Sequence, residues 1–327
     1  MLDIFNVKTI KVMKRLFAAV SALFLGAALA MAQDFNAAVD TFNSGIQSES
    51  KLERLELVRS AMAQFQACEE EDAAAMVVKC KEIIPDILLS LGKEGINEKK
   101  YDDALAYIRE AIALAKEYGL PDEGSDSIQA KALKLIPDAL MRKGSTLIKA
   151  NDFAGAVAVL KEATEYDAEN GKIWLLLAQS LIKTGADEEA ISALKSAADF
   201  GMAAKANTLL YKEYIKLGDA KKKERGGIND AIAFYEKALE IEENAQVVLK
   251  IANTYLQGGS NSKAISSFKR YLELSPEAEN KSDVIYTIAA TAQKAGDIST
   301  ALQYYGMLKG DAKYGATAAQ MIQQLNK

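Results

Sequence analysis

Two cysteines, Cys68 and Cys80, are the only thiols in a chain of 327 residues, and histidine is absent altogether. Two thiols twelve positions apart do not make a CxxC redox pair, and they supply too few ligands for a metal site. Without histidine there is no Ser-His-Asp or Cys-His nucleophile and no His-ligated zinc or iron, so most familiar hydrolytic and redox chemistries are excluded. Carboxylates are plentiful at 45, yet none stands out from a helical surface pattern, and a glycosidase pair cannot be recognised from spacing alone. Asp122, Glu123 and Asp126 lack the alternate-residue ligands and closing Glu of an EF-hand and read as a solvated loop. Glu69 to Asp72 reads as the acidic start of a helix. The tract Lys221 to Arg225 ends in Gly226-Gly227 without a Walker GxxxxGK[ST] pattern, so a solvated loop is again expected. The expectation is no catalytic residue, no metal and no cofactor.

Half of the residues are hydrophobic, only 4 are Pro, and the net charge is −5. Such a chain is globular and helix-prone rather than disordered. Its acidity gives no support for nucleic-acid binding. Near the start, Lys14-Arg15 precede an apolar run from Leu16 to Leu29, followed by Ala30-Met31-Ala32. This has the order of a secretory signal peptide over residues 1–32, with Met13 as the expected true start and cleavage after Ala30 or Ala32. The run is shorter than the roughly 20 residues a membrane span needs, so no integral span is expected in the mature form. The expected location is periplasmic or secreted.

From Gln33 onward apolar residues recur at three and four, and no stretch alternates as a strand does, so the class is all-α. A longer pattern runs over these helices: a small residue, twelve positions, an Ala, four positions, a bulky residue. It appears as Gly92, Ala104, Ile108; as Gly144, Ala156, Leu160; and as Ala178, Ala190, Leu194. Ala252, Ala264, Phe268 and Ala289, Ala301, Tyr305 continue it. In a helix hairpin, residues twelve apart face each other where the axes approach most closely, and a small residue lets the backbones meet. The bulky residue, one turn further on the same face, fills the space beside that contact.

These units resemble the tetratricopeptide repeat. The fourth copy fits well, from Gly171 through Trp174, Leu177, Ala178 and Leu181 to the turn Gly185-Ala186-Asp187, then Ala190, Leu194 and Ala197. The sixth adds Tyr255, Phe268 and Pro276. The fifth is read with Leu210-Tyr211, Tyr214 and Gly218-Asp219 ahead of an insertion, Ala220 to Gly227, in its turn; the first, with Phe42, Gly45, Ala61, Phe65 and Cys68, is read with a stretched turn. The resemblance implies an α-α superhelical solenoid of about seven hairpins, with a capping helix in Asp311 to Leu325. The expected organisation is an N-terminal pair of repeats in 33–120, a linker at 121–130, and the remaining array in 131–327. Ile84-Pro85-Asp86 recurs as Ile136-Pro137-Asp138, so these helices are either long and kinked or restart with Pro in the first turn.

The resemblance also implies a function: a non-catalytic scaffold or adaptor that binds proteins or extended peptides along a groove lined by the first helix of each hairpin. On the fourth copy the groove positions are Lys172, Leu175, Gln179, Ile182 and Lys183. On the fifth they are Lys205, Thr208, Lys212, Ile215 and Lys216, followed by Asn253 and Tyr286 on later copies. Five lysines among the first ten, on an acidic chain, favour an acidic partner segment. The alternatives are a self-associating structural protein of the cell envelope and a glycan-binding accessory subunit. Trp174 is expected to be a packing residue. Cys68 and Cys80 sit symmetrically about a turn near residue 74, and in an oxidising compartment a disulfide between them is expected.

Overall fold

The computed structural model describes residues 34–326, and the signal peptide expected at residues 1–32 lies outside them. The described residues form fifteen α-helices and no strand. The chain divides into two compact units, Met1–Thr184 and Gly185–Lys327. In the first unit, α1 (Phe35–Gln47) pairs with α2 (Lys51–Gln66), α3 (Ala73–Asn97) with α4 (Tyr101–Glu117), and α5 (Ile128–Lys149) with α6 (Phe153–Tyr166), before α7 (Gly171–Thr184) packs on α6. The second unit opens with α8 (Asp187–Ala197), then pairs α9 (Ala203–Lys221) with α10 (Ile228–Ile241), α11 (Ala245–Gln257) with α12 (Asn261–Leu274), and α13 (Lys281–Lys294) with α14 (Ile298–Met307). Below, the first helix of each pair is helix A and the second helix B. In chain order the helices make seven pairs, and α15 (Gly315–Leu325) follows.

The small-to-bulky spacing does what steric reasoning asks of it. A Cβ added to Gly92 would stand 2.4 Å from Cγ1 of Ile108, and one added to Gly144 would stand 2.6 Å from Cγ of Leu160. Both partners are completely buried. Within each unit, each helix B lies on the helix A that follows, so the apolar face left over by one hairpin is covered by the next. The series ends as expected on α15. Its Ala318 is buried, and Met321, Ile322 and Leu325 pack on a core containing Val284, Ile288 and Tyr305.

Two register expectations are corrected. A Cβ added to Gly45 would stand 3.0 Å from Cβ of Leu57 and 3.2 Å from Cγ2 of Val58, and the turn is only Ser48 to Ser50, so the first hairpin has a short turn. Leu57 takes the place usually held by Ala, which is why alignment on small residues slid one turn to Ala61. In the fifth hairpin, Gly218 lies inside α9, where an added Cβ would be 2.5 Å from Cε1 of Tyr235. Gly218 is therefore the close-approach residue, not the start of a turn. Ala220 and Lys221 remain helical, and the turn begins at Lys222.

Pro85 and Pro137 are buried inside α3 and α5, which are 25 and 22 residues long, so the two helices run on through their prolines. The segment between α4 and α5 joins helices that pack together within the first unit. Among the described residues, no helix is long and apolar enough to cross a membrane.

Candidate peptide-binding surface

The lysine side chains of two A helices offer the most open chemistry on the chain. On α7, Lys172, Gln179 and Lys183 are exposed and Ile182 is half-buried. Lys172 and Gln179 are two turns apart and so share one face. Leu175, expected beside them, is only 6% exposed, and on this helix it is a core residue rather than an apolar contact for a ligand. Trp174 is partly buried, and its Nε1 donates to the carbonyl of Ala168 at 2.7 Å, which ties the ring to the loop before α7.

On α9, Lys205, Thr208 and Lys212 form an exposed stripe at spacings of three and four. The Thr208 hydroxyl donates to the carbonyl of Ala204 at 2.9 Å, leaving its methyl and lone pair outward. Lys205 and Lys212 make no ion pair with any described residue. Lys216 differs. Its Nζ donates to Asp187 at 2.8 Å and to the buried Glu213 at 2.5 Å. Burial opposes its charge, but these two hydrogen bonds outweigh that and raise its pKa above the ordinary lysine value. It neutralises Glu213 and holds α8 to α9, so it is not available to a partner.

The corrected position of Gly218 also moves the register of α9. Lys205 and Thr208 fall on a two-turn extension of the helix ahead of the repeat proper, and Lys212 and Ile215 take the places expected of them.

Of the remaining two positions, Asn253 is exposed on α11. Tyr286 is not open: its ring stacks on Tyr314 at 4.5 Å and meets Tyr305 edge-on at 6.0 Å, docking α15 onto α13. Sequence reasoning could not see either pairing, because Glu213, Asp187 and Tyr314 carry no marker of what they contact.

The expected Cys68–Cys80 disulfide is not formed. Cys68 lies past the end of α2, where its Sγ donates to the carbonyl of Gln64 at 3.3 Å. Cys80 is completely buried in α3, and burial pushes its thiol up to about 11. Among the described residues, no group of three or more Cys, Asp or Glu side chains is arranged to hold a metal ion.

Four hairpin turns hold a residue at positive φ in a regular place. It falls seven positions after the close-approach residue: Lys99 (64°) after Gly92, Asn151 (61°) after Gly144, Gly259 (74°) after Ala252 and Gly296 (78°) after Ala289. The following N–H closes back onto the helix, from Lys100 to Gly95 at 2.8 Å, from Ser260 to Tyr255 at 2.9 Å and from Asp297 to Ala292 at 2.9 Å. This is the Schellman closure that ends a helix with its last carbonyls satisfied. It identifies the same hairpin along the chain even where the side chains diverge.

Models of the tetratricopeptide repeat match residues 147–210, and others match 85–118 and 245–277. In those stretches the chain matches the tetratricopeptide repeat. The matched stretches take in α7 and the first turns of α9, so they include Lys172, Lys183, Lys205 and Thr208. Among solved structures, the chain is similar to the MamA protein, at 20% identity over 56% of this chain and 94% of that one, with a TM-score of 0.33. It is similar to pilF of Pseudomonas aeruginosa at 16% identity over 75% of this chain and 98% of that one, TM-score 0.30. It is also similar to YrrB, described as a TPR protein with an unusual peptide-binding site, at 17% identity over 57% and 91%, TM-score 0.32. No curated protein matches the chain in sequence.

Proposed function

We propose that this chain is a non-catalytic tetratricopeptide-repeat scaffold, exported from the cytoplasm, which binds acidic, extended segments of a partner protein through exposed lysines of its A helices. The observation that carries the reading is the stripe Lys205, Thr208, Lys212, whose two ammonium groups are exposed and have no carboxylate among the described residues. The chain as a whole carries five more acidic than basic side chains. An uncompensated cationic stripe on such a chain attracts a segment of opposite charge. Export rests on the charged, apolar and small-residue order of the first 32 residues.

A fluorescein-labelled peptide of alternating Glu and Leu, followed by anisotropy, tests the binding claim. Full-length protein should bind it with an affinity that falls steeply as salt is raised. Replacing Lys172, Lys205 and Lys212 together by Glu should remove that salt-sensitive binding, with the helical circular dichroism unchanged. Equal affinity of the variant at low ionic strength would overturn the assignment.

A further inference from the structure

A cavity of about 410 Å³ opens between α10, α11 and α12 in the second unit. Its floor is Leu239, Val248, Ile251 and Tyr255, and one wall is a face of α12 bearing Lys263, Ser266 and Arg270. It is separate from the A-helix surface described above. On α11, Asn253 points roughly opposite to Val248, Ile251 and Tyr255 at 100° per residue.

Helices B of the first three hairpins are joined by Arg–Glu pairs, Arg59 to Glu110 at 2.7 Å and Arg109 to Glu162. Arg270 on α12 reaches Glu243, just past the end of α10, at 2.8 Å, and this pair closes one end of the cavity. Glu236 on α10 and Lys263 on α12 also line the opening. They are not joined, and neither is in an ion pair with any other described residue. Lys263 instead lies over the Tyr255 ring at 5.4 Å. The Tyr255 phenol is raised by burial first and then by the charge of Glu236, which places that carboxylate close to the same ring. Two charges of opposite sign, neither in an ion pair with a described residue, thus line one opening above an apolar floor.

We infer that this cavity is a second peptide site, which takes an apolar side chain on its floor and, on either side of it, a carboxylate toward Lys263 and a cation toward Glu236. The polarity of the two walls fixes which end of the segment lies toward Lys263, and the hydroxyls of Ser266 and Ser267, on one wall only, favour one direction of its backbone. The hydroxyl of Ser266 donates to the carbonyl of Ser262 at 3.1 Å, so its lone pair and those of Ser267 remain for backbone N–H groups of the peptide. In an extended peptide, alternate side chains point the same way, so the pattern is acidic, any, apolar, any, basic.

The probe is a fluorescein-labelled pentapeptide, Asp-Gly-Leu-Gly-Lys, blocked at both ends and titrated with the full chain, beside its reverse, Lys-Gly-Leu-Gly-Asp. One of the two should bind saturably and at least fivefold more tightly than the other. E236K and K263E, both at exposed positions, should each weaken the preferred peptide about tenfold. The double variant E236K/K263E should transfer the preference to the reversed sequence. The triple reversal at Lys172, Lys205 and Lys212 should leave this binding within twofold of the native value, so loss of one site is distinguishable from loss of the other. No saturable binding, equal affinity for both sequences, or a double variant that binds neither with its fold intact would each overturn the inference, as would loss of binding in the triple variant.

Discussion

Tyr235 and Asp219 hold the fifth hairpin together from two sides of one ring. The Tyr235 hydroxyl donates to Oδ1 of Asp219 at 2.7 Å, while the ring edge lies where a Cβ on Gly218 would have to be. Lys250 of α11 donates to the same carboxylate at 2.8 and 3.0 Å and lies 5.9 Å from the ring centre. One carboxylate thus ties helices A and B of one hairpin to helix A of the next.

Asp219 should make stability depend on pH. Burial pushes its carboxyl up, but hydrogen bonds from Lys250 and Tyr235 and the Lys250 charge outweigh this and hold its pKa below the ordinary 3.8. A lowered folded pKa means the contribution is complete above that ordinary value and is lost as pH falls through the folded one. Asp219→Asn should cost about 1 to 2 kcal/mol at pH 7, the carboxylate being half exposed. The gap from the native protein should narrow as pH falls below about 4. Urea melts across that range check it, and a gap independent of pH would mean the charge is not what matters.

The close-approach glycines should behave as a coupled pair with their bulky partners. Gly92→Ala gains about 1 kcal/mol of helix propensity but drives a methyl into Ile108, and overpacking of this kind costs about 1 to 3 kcal/mol. The expected net loss is about 1 kcal/mol. In an Ile108→Ala background the same change should become neutral or stabilising, because the obstructing side chain is gone. Denaturation of the four proteins in this cycle measures it, and additivity would show that the two residues do not meet.

This spacing is the part of the fold that the sequence displayed openly, because a backbone approach demands a small residue wherever it occurs. The same rule failed where a side chain broke the pattern: Leu57 opposite Gly45 hid the first turn, and Gly218-Asp219 resembled the Gly-Ala-Asp turn of the fourth copy. Helix period and capping residues carry the elements. The site was less legible. Which lysines are free depends on carboxylates 29 residues away, as with Lys216 and Asp187, and which A-helix apolar residues are covered depends on neighbouring helices, as with Leu175. Lys99 at positive φ left no trace, since lysine is ordinary in any loop.

Lys99→Gly should stabilise the protein by about 0.5 to 1 kcal/mol, as a lysine in the left-handed region carries a steric cost that glycine lacks. Gly296→Ala, at the equivalent place in the last hairpin, should destabilise by about 1 kcal/mol. Thermal melts of both variants test the pair together. Shifts of the same sign would contradict a shared turn geometry.

The thiols should differ in access. With its pKa pushed up to about 11 and no exposed surface, Cys80 has only about 0.1% thiolate at pH 8 and should stay unmodified in the native state. Cys68, partly exposed, is raised by burial first and then by Glu70, and should react slowly but ahead of Cys80. Iodoacetamide labelling with peptide mapping separates them. Two labelled sites in denaturant without reductant are expected, and none would reveal a disulfide.

The exposed lysines of α7 and α9 are where contact with a partner segment is expected. Carbodiimide condenses a carboxylate with an amine that touches it, so treatment of the complex with the Glu-Leu peptide, followed by mass spectrometric mapping, reads the contact directly. The crosslinks should concentrate at Lys172, Lys205 and Lys212, with Lys216 protected by its own carboxylates. Crosslinks spread over all exposed lysines, or confined to the Lys221 to Lys223 tract, would contradict that expectation.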